Sequence, residues 1–145
     1  MKEYVKVAVD AMGGDYAPVE PVKGAVDAVN ANEEIFVYLV GQKAVIEAEL
    51  AKYTYPWERI SIVEASEVIE TGEPPVNAIR GKKDSSMVVA LNMVRRQEAD
   101  AIVSSGSTGA LLVGGQVLVG RLKGVERPPL APLIPTAKGV SLLID

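Results

Sequence analysis

Ser104-Ser105-Gly106-Ser107-Thr108-Gly109-Ala110-Leu111 mixes glycine and hydroxyl residues between two apolar runs. Ala101-Ile102-Val103 before it is strand-like, and the longer run after it is helix-like. A strand that turns through Gly and Ser straight into a helix leaves backbone N–H groups converging on one spot. The helix dipole adds to their attraction for an anion. Read alone, the octapeptide fits an ordinary Ser- or Thr-capped turn at least as well. Two more stretches carry chemistry. Lys82-Lys83-Asp84-Ser85-Ser86 sets a basic pair beside a helix start, a better anion site than either feature alone. By itself it also fits a solvated loop with a cap. Asp10-Ala11-Met12-Gly13-Gly14-Asp15 brings carboxylates to a Gly-rich turn. A turn-stabilising role is preferred there to a metal, because no further ligands cluster by spacing.

The residue inventory narrows the chemistry. The chain has neither Cys nor His, which removes disulfides, zinc–thiolate sites, the commonest general base and the commonest metal ligand. Catalysis within these residues must rest on carboxylates, hydroxyls, Lys, Arg, backbone dipoles or the substrate's own groups. Residues 115–122 come near a phosphate-binding loop but lack its Lys and Ser/Thr, and no Gly-x-Gly-x-x-Gly is present, so a nucleotide reading has no motif support. A net charge of −4 argues against a nucleic-acid partner. Met1-Lys2-Glu3-Tyr4 leads directly into a strand with no signal peptide in view, and the apolar stretch 110–120 is too short to span a bilayer. The expectation is a soluble, cytoplasmic protein.

The elements that must position these residues follow from periodicity. With 145 residues and 48% hydrophobic content the chain suits one domain. Strands are expected at 4–10, 35–40, 60–63 and 101–104. A helix begins near Pro18 and Pro21, with Val19, Val22, Val26 and Val29 on its apolar face. A second, about 42–52, turns Val45, Ile46 and Leu50 inward. Residues 64–83 read as irregular, and a helix from Asp84-Ser85-Ser86 buries Met87, Val88, Leu91 and Val94. A helix over 108–122 contains Gly114, Gly115 and Gly120, which suggests close approach of another backbone. Two apolar runs, 130–134 and 140–144, suit an antiparallel hairpin. The alternation of strand and helix predicts a mainly parallel sheet with helices on both faces. Both Gly-rich turns follow strand ends, so they share one rim.

Taken together, the motifs resemble the acyl-acyl carrier protein:phosphate acyltransferases of bacterial phospholipid synthesis, the PlsX family. The resemblance rests on residues 7–18 around Asp10-Ala11-Met12-Gly13-Gly14-Asp15, on Lys82–Ser86, on Ser104–Leu111, on residues 127–136 beginning Arg127-Pro128-Pro129, and on Leu142-Leu143-Ile144-Asp145. It runs over the whole chain in order. The family's usual glycine turn is Ser-Ala-Gly-Asn-Thr-Gly-Ala, so Ser105 and Ser107 stand where Ala and Asn are usual. Family members are considerably longer, which makes residues 1–145 the expected N-terminal part of a single α/β acyltransferase domain, truncated here. The resemblance implies a three-layer α/β/α sandwich akin to isopropylmalate dehydrogenases, a homodimer, no cofactor, and peripheral contact with the inner face of the membrane through the absent C-terminal half.

The reaction implied is transfer of an acyl group from acyl carrier protein to inorganic phosphate. Phosphate can attack a thioester directly, because it is already an oxyanion at neutral pH; the protein must hold it and stabilise a tetrahedral oxyanion. Lys82, Lys83 and Asp10 are the candidate catalytic residues. Gly13, Gly14, Ser85, Gly106, Ser107, Thr108, Gly109 and Arg127 are the candidates for binding phosphate or thioester. Arg80, Arg95, Arg96, Arg121 and Lys123 are candidate docking charges for an acidic carrier protein. The alternatives are a phosphotransacetylase-like transfer using coenzyme A and a non-catalytic anion-binding module.

Overall fold

The computed structural model describes residues 4–144; Met1–Glu3 and Asp145 lie outside the described residues. The strands are β1 (Val5–Asp10), β2 (Ile35–Gly41), β3 (Ile60–Glu64), β4 (Ala101–Val103), β5 (Leu133–Thr136) and β6 (Gly139–Leu142). The helices are α1 (Val19–Ala31), α2 (Lys43–Leu50), α3 (Pro75–Gly81), α4 (Ser86–Arg95) and α5 (Thr108–Gly114). Four parallel strands form one sheet in the order β3-β2-β1-β4. Val, Ile and Leu dominate them, as in strands covered on both faces.

Alternation along the strands divides the core. Val37, Leu39 and Ile60 face α1 and α2, where they meet Val22, Val26, Val29, Ile46 and Leu50. Ala8 and Val40 face the other way, against Ala90 and Met93 of α4. A third cluster joins α3, α4 and α5 through Ile79, Met87, Leu91 and Ala110. The result is the expected α/β/α layering.

The chain runs from β1 outward through β2 to β3, then returns to place β4 on the other side of β1. The direction of winding therefore reverses between β1 and β4. Crossovers of one hand but opposite direction put α1 and α4 on opposite faces and leave a crevice at the carboxyl ends of these two strands.

Several expectations need correction. The stretch 64–83 is not irregular throughout: Pro75 opens α3 at a first-turn position, where its missing N–H costs nothing. Val45 is exposed because α2 starts at Lys43 and turns Ile46, Glu49 and Leu50 inward instead. Val19, at the first position of α1, lies beyond the covered stripe and is exposed, while Val94 is only half-buried. The last helix is α-helical only to Gly114; a π-helical turn follows over Gly115–Val119 and ends at Gly120, φ +100°. Of Gly114, Gly115 and Gly120 only Gly114 is crowded, and by side chains: a Cβ there would run into Leu91 Cδ1 and lie 3.1 Å from Ile79 Cδ1.

The expected hairpin forms, with β5 and β6 antiparallel and Pro135 inside β5. Every residue of both strands is exposed. Among the described residues no helix is long and apolar enough to cross a membrane.

Candidate functional site

The parallel register sets Val9 beside Val103, so the turns that follow β1 and β4 emerge side by side at the crevice. They are stacked backbone on backbone. A Cβ on Gly13 would lie 3.0 Å from the Gly106 nitrogen and run into Asp10 Oδ2. One on Gly14 would lie 3.0 Å from Ser105 Cβ and 3.1 Å from the Ser105 carbonyl oxygen. Gly14 is also at φ +106°, a conformation that side chains resist. Both glycines of the first turn are thus required by its close approach to the second.

Asp10 lies beneath this contact and is buried. Its Oδ1 accepts the Ser86 hydroxyl at 2.6 Å and the Met12 N–H at 3.3 Å; its Oδ2 accepts the Ser104 hydroxyl at 2.7 Å. Among the described residues no group of three or more acidic side chains gathers as a metal site would require.

Donors around the second turn are divided between structure and solvent. Gly106 N–H is committed to Ser104 Oγ at 3.1 Å. Ser107 is the N-cap of α5, and its hydroxyl accepts Ala110 N–H at 3.2 Å. The N–H groups of Thr108 and Gly109, in the first turn, find no backbone acceptor among the described residues and, with those of Ser105 and Ser107, are left for a ligand or solvent. Gly109 has a second constraint: a Cβ would meet Pro75 Cγ at 2.9 Å, so it lets α5 close against α3.

The middle motif separates into distinct roles. Ser85 is the buried N-cap of α4, accepting Val88 N–H at 3.3 Å and donating to the Lys82 carbonyl at 2.8 Å. Lys82 Nζ is held by Glu73 Oε1 and the Val68 carbonyl. That ion pair, first, and the Glu70 N–H, second, lower the Glu73 pKa below the usual glutamate range. Lys83 is exposed. Asp84 caps the neighbouring loop through the Ser66 hydroxyl and N–H, which lower its pKa. Arg127 is exposed on the segment before β5 and is not brought into the crevice lining. Of the candidate docking charges, Arg96 is paired with Glu98 through two bonds.

The paired turns form one end of a groove of about 750 Å³. Val7, Val9 and Val103 line its sheet side, and Pro21, Gly24, Ala25 and Ala28 of α1 its other wall. Thr71, from the loop that Lys82 ties down, completes the lining. A pocket of this size with apolar walls and polar groups at one end is of the kind that takes small ligands.

Ser86 and Ser104 are the site residues that motif reading passed over. A usable signal exists for Ser104: with Val9 beside Val103, the next residues, Asp10 and Ser104, share a register and a face. For Ser86 the signal is weaker: Ser85 spends its hydroxyl on the cap, leaving its neighbour's hydroxyl for another partner.

The fatty acid synthesis protein family matches residues 5–145. The phosphate acyltransferase of Alkaliphilus oremlandii is 54% identical over 141 residues, 97% of this chain and 42% of that protein. That of Clostridium beijerinckii is 50% identical over 141 residues, with the same shares. That of Syntrophomonas wolfei is 51% identical over 142 residues, 97% of this chain and 44% of that protein. The chain thus spans less than half the length of these curated relatives. With the family match covering both glycine turns, Asp10 and the segment from Lys82 to Ser86, the chain belongs to the fatty acid synthesis protein family.

Proposed function

We propose that this site serves a phosphate acyltransferase that moves a fatty acyl group from the thioester of an acyl carrier protein to inorganic phosphate, giving an acyl phosphate. One observation carries the reading: two glycine turns, stacked over a buried carboxylate at the switch point of a parallel sheet, open onto an apolar groove. The turns suit a small anion and the groove an alkyl chain. The names of the relatives support the same reading.

In the proposed reaction a phosphate oxygen attacks the thioester carbonyl carbon. The C–O bond forms as the carbonyl opens to an oxyanion. Collapse then breaks the C–S bond, and the carrier leaves as a thiolate that takes up a proton. Phosphate needs holding rather than deprotonation, so positioning and oxyanion stabilisation are the tasks left to the protein. The N–H groups of Thr108 and Gly109 are the proposed donors, with Lys83 as countercharge. Lys82 joins them only by leaving Glu73. Gly13, Gly14 and Gly106 shape the rim, and Ser85 and Ser107 hold the helix starts. Arg127 and the exposed arginines, Arg80 and Arg95 among them, serve the carrier protein. A homodimer belongs to the same proposal, supported by the exposed apolar side chains of the hairpin.

The test is an acyl-phosphate assay on the full-length protein, with carrier-linked and coenzyme A-linked acyl donors. Phosphate-dependent product from the carrier thioester is expected. Turnover with the coenzyme A thioester alone moves the assignment to a phosphotransacetylase-like transfer. Phosphate binding without turnover of either donor moves it to an anion-binding module.

A further inference from the structure

Asp10 is 2% exposed, and hydroxyl and amide donors, not a cation, surround its carboxylate. The hydroxyls of Ser86 and Ser104 both donate to it, at 2.6 and 2.7 Å. The Ser104 oxygen is then left to accept, and it takes the N–H of Gly106 at 3.1 Å. The series from carboxylate to hydroxyl to amide therefore has one direction only. Both hydroxyl bonds are short, and a fully satisfied buried network rigidifies what it joins.

What it joins is specific. Through Ser86, Asp10 grips the first turn of α4, which follows Lys83. Through Ser104, it grips the turn that leads into Thr108 and Gly109. These are the segments that carry the proposed countercharge and donors. The packing is tight: a Cβ on Gly106 would lie 3.2 Å from Ser104 Oγ and 3.3 Å from Gly13 Cα, so a neighbour would have to give by a few tenths of an ångström.

We infer that Asp10 is the positioning residue of the site, setting the separation between the Lys83–Ser86 segment and the Ser105–Gly109 turn through the hydroxyls of Ser86 and Ser104. It acts through these neighbours and does not touch the reacting atoms. The kinetic consequence rests on the proposed acyl transfer; the geometric one does not. A misplacement of about 1 Å between reacting groups costs on the order of a hundredfold in rate.

The test uses the full-length protein with labelled glycine, and the variants Ser104→Ala, Ser104→Thr, Asp10→Asn and the Asp10→Asn/Ser104→Ala double. Readouts are the hydrogen exchange of the Gly106 amide, phosphate affinity by calorimetry, and kcat and KM for phosphate. Ser104→Ala is expected to speed Gly106 exchange by about tenfold, the loss of one hydrogen bond. It should also lower kcat/KM for phosphate by ten- to roughly a hundredfold. Ser104→Thr, which keeps the hydroxyl, should restore both. Asp10→Asn should match Ser104→Ala, and the double variant should be little worse than either, because all break one network. If Asp10→Asn does not fold, the Ala and Thr variants of Ser104 decide. Wild-type exchange, phosphate affinity and kinetics in Ser104→Ala, with only a lowered melting temperature, overturn the inference. If the wild-type protein makes no acyl phosphate, the proposed reaction falls, and the inference is judged on Gly106 exchange and phosphate affinity.

Discussion

Lys82 and Glu73 form an ion pair with Nζ 2.5 Å from Oε1, and the same ammonium donates to the Val68 carbonyl at 2.7 Å. The end of α3 is thereby tied to the loop that places Thr71 on the groove. Because Glu73 has a lowered pKa, its ionised form is favoured by folding. The contribution is complete above the ordinary glutamate range and is lost as pH falls through the lowered value. Melting temperatures of the wild type and Glu73→Gln should therefore differ near neutral pH and converge in acid. A gap that stays constant down to about pH 3, below the ordinary range of glutamates in folded proteins, would remove the charge from the explanation.

Gly14→Ala puts a Cβ at φ +106° and 3.0 Å from Ser105 Cβ. Backbone strain of this kind costs about 1–3 kcal/mol, and relief requires the turns to part. Chemical denaturation should show the loss in stability. The assay should show a larger fractional loss of acyl-phosphate formation than Val45→Ala, an exposed substitution on α2. Equal stability and activity in Gly14→Ala would mean that the turns part without consequence.

Gly109→Ala is expected to destabilise by about 1–3 kcal/mol through overpacking against the Pro75 ring. Replacing the ring as well tests the cause: Pro75→Ala in the Gly109→Ala background should recover part of the loss, a non-additive outcome visible in urea titrations. Strict additivity would place the cost elsewhere.

Ser107→Ala removes a helix cap and should cost about 1 kcal/mol. Ser107→Asn, which installs the side chain usual in the resembling family, keeps an N-cap acceptor and should leave the urea midpoint near that of the wild type. A full cap-sized loss in the Asn variant would show that the bond to Ala110 N–H is specific to the serine geometry.

Much of the fold is legible in local pattern. Val5–Asp10 and Ile35–Gly41 are apolar runs closed by turn residues, and the shared rim of the two Gly-rich turns follows from a parallel sheet. What is not legible depends on contacts between distant segments. Lys82 and Lys83 are equivalent as neighbours in sequence; only the position of Glu73 separates them. Pro74-Pro75 reads as a break until α3 is seen to start on its second proline. Gly109 reads as an anion-turn glycine, but its close neighbour is Pro75. Asp10 reads as a turn carboxylate, and its reach to Ser86 and Ser104 exists only once the sheet and α4 are assembled.

That reach has a kinetic side. The bonds from Asp10 to Ser86 and Ser104 span 76 and 94 residues of chain. Closing loops of that length is slow relative to local contacts, and it requires β4 to have joined β1. The network is therefore expected to form after the folding transition state. Ser104→Ala should then speed unfolding and leave the folding rate nearly unchanged in a chevron analysis. A slowed folding limb would place the network in the nucleus instead. A chain that has not yet docked β4 thus carries the first glycine turn with its local bonds, but without the Ser105 and Gly106 backbone it packs against.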